Sequence, residues 1–372
     1  MTTAERERAT APPRAPRGGA PAAAGAAAGG RLPLVASWRG AIAGLAAALA
    51  VAAMAGRAAA SPHPGRSFDP WRDPAAYEIE LRVELPRVAS GGRWRVWVPL
   101  PSATHAQRVV GERIAAPVDV ERTADALGNR YAYLEAAGGA VVVRATVERF
   151  PDRGIPASRV RRGGVDDPAR YLGPQRGIPL DGPVAELARS AVEGRRGTAE
   201  RIGAIFDLVV REMTYSKRGR GWGRGDAVWA CNARRGNCTD FHSLLIAMAR
   251  SQEIPARFVI GFPLPAERSS GEAVGYHCWA EVFDPDRGWL PVDASAAKRS
   301  GRGRQYLGAL PSDRVAFSRG RDLVLAPAQR GAPLRFVAGP YAQAPGGSVE
   351  RLPFSLRYRR VPLRASGPGR AW

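Results

Sequence analysis

One stretch constrains this chain more than any other: Gly236-Asn237-Cys238-Thr239-Asp240-Phe241-His242. It stands at the head of an amphipathic segment. Phe241, Leu244, Leu245 and Met248 fall at i, i+3, i+4 and i+7, so they share one helix face. Cys238 therefore lies at or near a helix N-terminus, where unpaired N–H groups and the positive dipole end favour a thiolate. Three apolar segments follow that read as strands: 256–261, 276–283 and 288–293. The second carries His277 and the third ends in Asp293, giving Cys, His and Asp in that order.

That set suits a thiol nucleophile. An imidazole takes the thiol proton, and a carboxylate holds the ring tautomer and supports the imidazolium. A helix bearing Cys, then a strand bearing His, then a strand bearing Asp resembles the transglutaminase-like superfamily, whose site geometry is shared with papain-like cysteine peptidases. The resemblance rests on Gly236, Cys238, Asp240 and Phe241, on His277-Cys278-Trp279-Ala280-Glu281, and on Trp289 to Asp293. It is strong from Ala199 to Ser300 and weak outside. It implies a catalytic triad of Cys238, His277 and Asp293. It also implies an oxyanion donor upstream of the nucleophile, for which Trp222 and Trp229 are candidates and Trp229 is preferred.

Other residues near the motifs have plainer readings. His242 is four residues along the nucleophile's own helix and could reach back to it, but a strand facing the helix presents His277 better. Asp284 and Asp286 belong to a turn-like Asp-Pro-Asp. Asp240 reads as a charge partner of the helix start, and Trp279 as a supporting neighbour of His277. Strand alternation puts Cys278 on the face opposite His277, which predicts a Cys231–Cys278 disulfide that leaves Cys238 free. A zinc site from Cys231, Cys238, His277 and Cys278 lacks ligand spacing, so no metal is expected. No phosphate loop, calcium loop or other cofactor motif is present.

The chain of 372 residues has room for two cores. Its net charge of +21 comes from arginine, since lysine occurs only at Lys217 and Lys298. Residues 1–60 hold +5 of it, leaving +16. So basic a chain binds polyanions loosely, but no nucleic-acid recognition motif accompanies the charge, and specific nucleic-acid binding is not expected. Ala41 to Ala55 is an apolar run after Trp38-Arg39 and ends near Ala58-Ala59-Ala60, a small-residue cleavage pattern. At about 15 residues it is short of the ~20 that span a bilayer. Residues 1–60 are thus expected to be a disordered extension plus an export signal, cleaved near Ala60 or kept as an anchor. No multi-span membrane segment is expected.

Residues 61–150 alternate through five short segments separated by turn residues, which predicts a β-sandwich-like domain. An Arg-, Gly- and Pro-rich linker is expected over 151–183, with helices at 184–192 and 198–213, the latter capped by Thr198. Tyr215 to Gly236 reads as a long loop forming one wall of the cleft. The α+β catalytic domain is expected over 184–340, and a C-terminal tail with a possible strand over 341–372. Short candidate strands also appear at 314–317, 322–325, 334–337 and 356–358.

The expected function is an exported thiol enzyme acting on a protein or peptide substrate, those of the cell envelope included. It would form an acyl-thioester resolved by hydrolysis or transamidation. The competing readings are a non-catalytic envelope scaffold on the same fold and a polyanion-binding protein that uses the arginine excess.

Overall fold

The computed structural model describes residues 67–88, 91–350 and 352–363. The export signal expected within residues 1–60 lies outside them. In chain order the N-terminal strands are β1 (Ala75–Leu85), β2 (Trp94–Pro99), β3 (Gln107–Ala115), β4 (Glu121–Ala124), β5 (Arg130–Ala136) and β6 (Gly139–Arg149). Then come α1 (Gly182–Val192), α2 (Thr198–Glu212), β7 (Thr214–Tyr215), α3 (Ala227–Ala233), β8 (Arg235–Gly236) and α4 (Cys238–Ser251). These are followed by β9 (Ala256–Pro263), β10 (Ser270–Glu272), β11 (His277–Asp284), β12 (Gly288–Val292), α5 (Ala294–Ser300) and β13 (Arg314–Arg319). The chain ends on β14 (Tyr341–Gln343), β15 (Val349–Glu350) and β16 (Phe354–Val361). The fold is mixed, with two β layers beside a helix-covered sheet.

β1 shows why the sandwich forms. Tyr77, Ile79, Leu81, Val83 and Leu85 are buried, while Glu78, Arg82 and Glu84 point to solvent. A period of two with one apolar face demands a second sheet to cover it. The two sheets run β10-β16-β1-β6-β3 and β15-β14-β2-β5-β4. Val96, Val98 and Leu134 of the second meet the apolar face of the first.

Residues beyond 340, read from sequence as a tail with a candidate strand at 356–358, supply β14, β15 and β16, the last of which contains that candidate. β16 pairs antiparallel with β1 from Ala76↔Val361 to Val83↔Phe354, and β14 pairs with β2. The sandwich is therefore closed by segments 244 to 285 residues along the chain from the strands they join. Phe262, Leu264, Val315 and Phe317 join the same core, so β9 and β13 bridge the sandwich to the helix-covered half.

In that half the antiparallel sheet runs β12-β11-β9-β13. α4 packs on β9 and β11 and is enclosed by α1, α2, α3 and α5. It is buried from Cys238 through Arg250, so its polar side chains all need partners. The presumed loop before it contains α3, capped by the Asp226 carboxylate accepting from the Val228 and Trp229 N–H groups. An aspartate just ahead of Ala-Val-Trp-Ala is a helix-start signal that the glycine-rich context masked. The cap of α2 is Gly197, not Thr198, which is its first helical residue. Segments 322–325 and 334–337 meet only through the single bridge Leu323↔Leu334. Among the described residues no helix is long and apolar enough to cross a membrane.

Behind the sheet lies a buried charge cluster. Arg257 donates to Glu281 at 2.5 Å and to Asp166 at 2.7 Å, with its guanidinium 4.1 Å from the Trp289 ring centroid. Removing one partner of a buried ion pair leaves charge uncompensated. Glu281→Ala is expected to cost about 3–5 kcal/mol, read as a lower urea midpoint. A Glu281→Ala midpoint equal to wild type would show that the cluster contributes nothing.

Candidate active site

α4 begins in a tight polar wrap. Asn237 is its cap and accepts from the Thr239 N–H at 3.0 Å. Asp240, at the third helical position, accepts from the Asn237 N–H at 2.9 Å and completes a capping box. The same carboxylate accepts from the Gly223 N–H at 2.7 Å and the Gly225 N–H at 3.2 Å. It thus ties the preceding loop to the helix start. Gly236 has φ +154°, and a Cβ there would collide with the Asp240 carboxylate. Only glycine fits between that carboxylate and the chain. Cys238 is the first residue of the helix and is buried.

His277 is the first residue of β11, so its ring reaches past the strand end to the cysteine. Its ring interacts with Cys238 on one side and hydrogen-bonds Asp293 Oδ2 on the other, through Nε2 at 2.6 Å. Asp293 caps α5 and is wholly buried. It also accepts from Arg314 Nη1 at 2.6 Å, Ser295 Oγ at 3.0 Å and the Ala296 N–H at 2.8 Å. Cys238, His277 and Asp293 therefore form one row.

Burial works against the His277 imidazolium, but the Asp293 charge and hydrogen bond outweigh it and push the pKa up to about 9. Asp293 also resists burial. The charge and hydrogen bond of His277 and the charge of Arg314 hold its carboxyl well below the usual range. The Cys238 thiol is drawn well below its ordinary value, first by a hydrogen bond from Cys278 and then, against burial, by His277. The lowered thiol and the raised imidazole are the two shifts that a thiolate–imidazolium pair requires.

A second layer lies beneath. His242 Nε2 accepts from the Ala294 N–H at 3.2 Å, which leaves the proton on Nδ1. Nδ1 sits 2.8 Å from the Cys238 carbonyl and 3.6 Å from Cys278 Sγ. Burial keeps the His242 pKa below its ordinary value, so this ring is neutral.

The expected Cys231–Cys278 disulfide is absent, and all three cysteines are free thiols. Cys278 does face away from the other side of its sheet. That face, however, packs on α4, whose first residue is the nucleophile, so Cys278 meets Cys238 and His242. Cys231 instead lies on α3, with Sγ 3.7 Å from the Pro183 carbonyl. Among the described residues no cluster of three or more His, Cys, Asp or Glu could hold a metal ion.

The other expected residues are spread around this centre. Trp279 is buried, its Nε1 has no partner, and the Arg314 guanidinium lies 5.7 Å from its ring. Trp229 is partly buried on α3, with its indole against Gly221, and Trp222 is half-buried in the same loop. Four neighbours went unread in the sequence. Arg314 and Ser295 hold Asp293. Tyr276 approaches Asn237, its hydroxyl 3.5 Å from Nδ2. Tyr215 stacks toward Phe241 at 6.1 Å between centroids. Ser295, two residues past Asp293, was findable as a local side-chain cap partner. Arg314 had no local signal.

Residues 185–294 match the family model of the transglutaminase-like superfamily. An uncharacterised protein of Haemophilus influenzae is 27% identical over 229 residues, covering 52% of this chain and 62% of that one. The chain thus spans less than two-thirds of that relative's length. A solved candidate cysteine protease from Cytophaga hutchinsonii superposes with TM-score 0.53 over 79% of this chain and 93% of its own, at 18% identity. At that identity the likeness is one of fold. The periplasmic domain of TgpA from Pseudomonas aeruginosa matches more distantly, with TM-score 0.34 and 17% identity over 61% of this chain and 92% of its own. Residues 185–294, the stretch that matches the transglutaminase-like superfamily model, contain Cys238, His277 and Asp293.

Proposed function

We propose that this protein is a thiol enzyme that opens peptide or carboxamide bonds through Cys238, His277 and Asp293. The observation that carries the reading is the Cys238–His277–Asp293 row, with the thiol lowered and the imidazole raised. The Cys238 thiolate attacks the carbonyl carbon, and the carbonyl π electrons move to oxygen. The Cys238 N–H at the start of α4 donates to that oxyanion. The Trp229 indole, beside the loop tied to Asp240, is the proposed second donor. As the C–N bond breaks, imidazolium His277 gives its proton to the leaving amine. The resulting thioester is resolved by water or a second amine, with neutral His277 as base. Asp293 holds the ring throughout, and Arg314 and Ser295 hold Asp293. We further propose that the chain is exported, on the apolar run and small-residue site before Ser61.

Alkylation of Cys238 by iodoacetamide, followed by mass spectrometry, tests the thiolate directly. Labelling is expected to be fast at pH 7, and His277→Ala should slow it by about tenfold or more. The ion pair persists upward from the lowered thiol pKa until His277 loses its proton near pH 9. Turnover that needs imidazolium should therefore fall above about pH 9. Labelling of Cys238 no faster than a free thiol at pH 7 would sink the mechanism.

Cys278→Ala removes the leading contributor to the lowered thiol. It should shift the pH midpoint of Cys238 labelling upward, and Cys278→Ser, which keeps a donor, should shift it less. An unmoved midpoint in both variants would remove Cys278 from the account. Trp229→Phe is expected to lower kcat by roughly 100-fold if the indole meets the oxyanion, with labelling by iodoacetamide unchanged. A kcat within twofold of wild type would assign the second donor elsewhere.

A further inference from the structure

The chain carries arginine everywhere, but its charges are not arranged alike. On the sandwich, several arginines face carboxylates: Arg144 pairs with Glu80, Arg359 with Glu78, Arg82 with Glu84, and Arg122 and Arg130 with Glu112. The segment Ser216-Lys217-Arg218-Gly219-Arg220-Gly221-Trp222-Gly223-Arg224-Gly225 is different. It contains four cations and no acid. Lys217, Arg218, Arg220 and Arg224 are exposed, and among the described residues none is ion-paired.

This loop is fastened to the nucleophile at both ends. Its first residue donates from the Ser216 N–H to the Gly236 carbonyl at 2.8 Å, two residues before Cys238. Its far end is held by the Gly223 and Gly225 N–H groups on Asp240, two residues after Cys238. The nearest carboxylates are spent. Asp240 is buried in the capping box, Asp226 caps α3, and Glu212 pairs with Arg211 at 2.9 Å. Two more exposed cations extend the strip. Arg235 lies on β8 beneath Gly219. Arg299 places its guanidinium 4.8 Å from the ring centroid of Tyr215, the residue that leads into the loop.

Six exposed cations with no acid among them create a local positive field within about a Debye length of ~8–10 Å of whatever lies over the loop. Resting on the thiol-enzyme reading, we propose that this strip selects the substrate: an acidic peptide, with carboxylates flanking the reacting amide, that lies along residues 217–224. The loop's glycines let its backbone come close to an extended chain. Spaced single cations suit the spaced carboxylates of a peptide.

The test uses the full-length chain. A rhodamine-labelled hexaglutamate peptide and its hexaglutamine counterpart are titrated by anisotropy at low salt. Wild type is compared with the triple variant Lys217→Gln, Arg218→Gln, Arg220→Gln. A control, Arg87→Gln, Arg113→Gln, Arg357→Gln, removes equal charge from the sandwich. Hexaglutamate should bind wild type and the control alike and bind the loop variant at least tenfold more weakly. Hexaglutamine should bind none of them. Saturating hexaglutamate should also slow iodoacetamide labelling of Cys238 in wild type but not in the loop variant. Equal weakening in loop and control variants would mean that charge binds wherever arginine lies, and would overturn the proposal. Binding without protection of Cys238, or clear preference for a single-stranded oligonucleotide of equal charge, would overturn it as well. Anisotropy needs no reactive thiol. Slow labelling of free wild type would therefore strike the thiol-enzyme reading alone, leaving the loop's binding to be judged separately.

Discussion

A buried carboxylate with no water to solvate it must be met on every side, and Asp293 is met on every side. Imidazole, guanidinium, hydroxyl and backbone N–H all converge on its two oxygens. Leaving such a charge unpaired would cost several kcal/mol, so each partner is fixed as firmly as the carboxylate itself. That requirement sets the end of β12, the start of α5, the position of Arg314 on β13 and the ring plane of His277. The same charge raises the His277 pKa, and His277 in turn lowers the Cys238 thiol. The fold and the electrostatics of this centre thus share one origin.

The surrounding architecture keeps that origin dry and rigid. α4 is enclosed by four helices and a sheet, and its first residue is held by a capping box rather than by solvent. Asp240 does for the helix start what Asp293 does for the imidazole. It gathers N–H groups from Asn237, Gly223 and Gly225, and so joins the loop ahead of the nucleophile to the helix that bears it. The sandwich contributes from behind. Its core continues into Phe262, Val315 and Phe317, so β9 and β13 are braced on one face by the sandwich and on the other by the catalytic helices.

Much of the site was legible because its signals are local. The Cys238 motif, the His277 strand and the Asp293 strand each announce themselves within a few residues, and the helix period placed Cys238 at its start. What was not legible depended on pairing across the chain. The strands of 341–361 are short and individually weak, and only the exposed edges of β1 and β2 give them a place. Cys278 was misassigned by sound alternation with a missing fact, namely which face of β11 meets α4. His242 stood in plain sight four residues from Cys238, but its neutral state follows from burial and from the Ala294 N–H, neither of which a sequence displays.

Residue order by itself determined the chemistry available to this protein: a thiol at a helix start, an imidazole and a carboxylate on successive strands, and an α+β domain behind a β-rich one. These follow from periodicity and from the few residue types that can perform each role. Tertiary structure alone decided how the groups are tuned. Arg314, Cys278 and His242 act through distances of a few ångströms between segments far apart in the chain. Electrostatic and hydrogen-bond energies depend on those distances and on burial, and no local pattern encodes either.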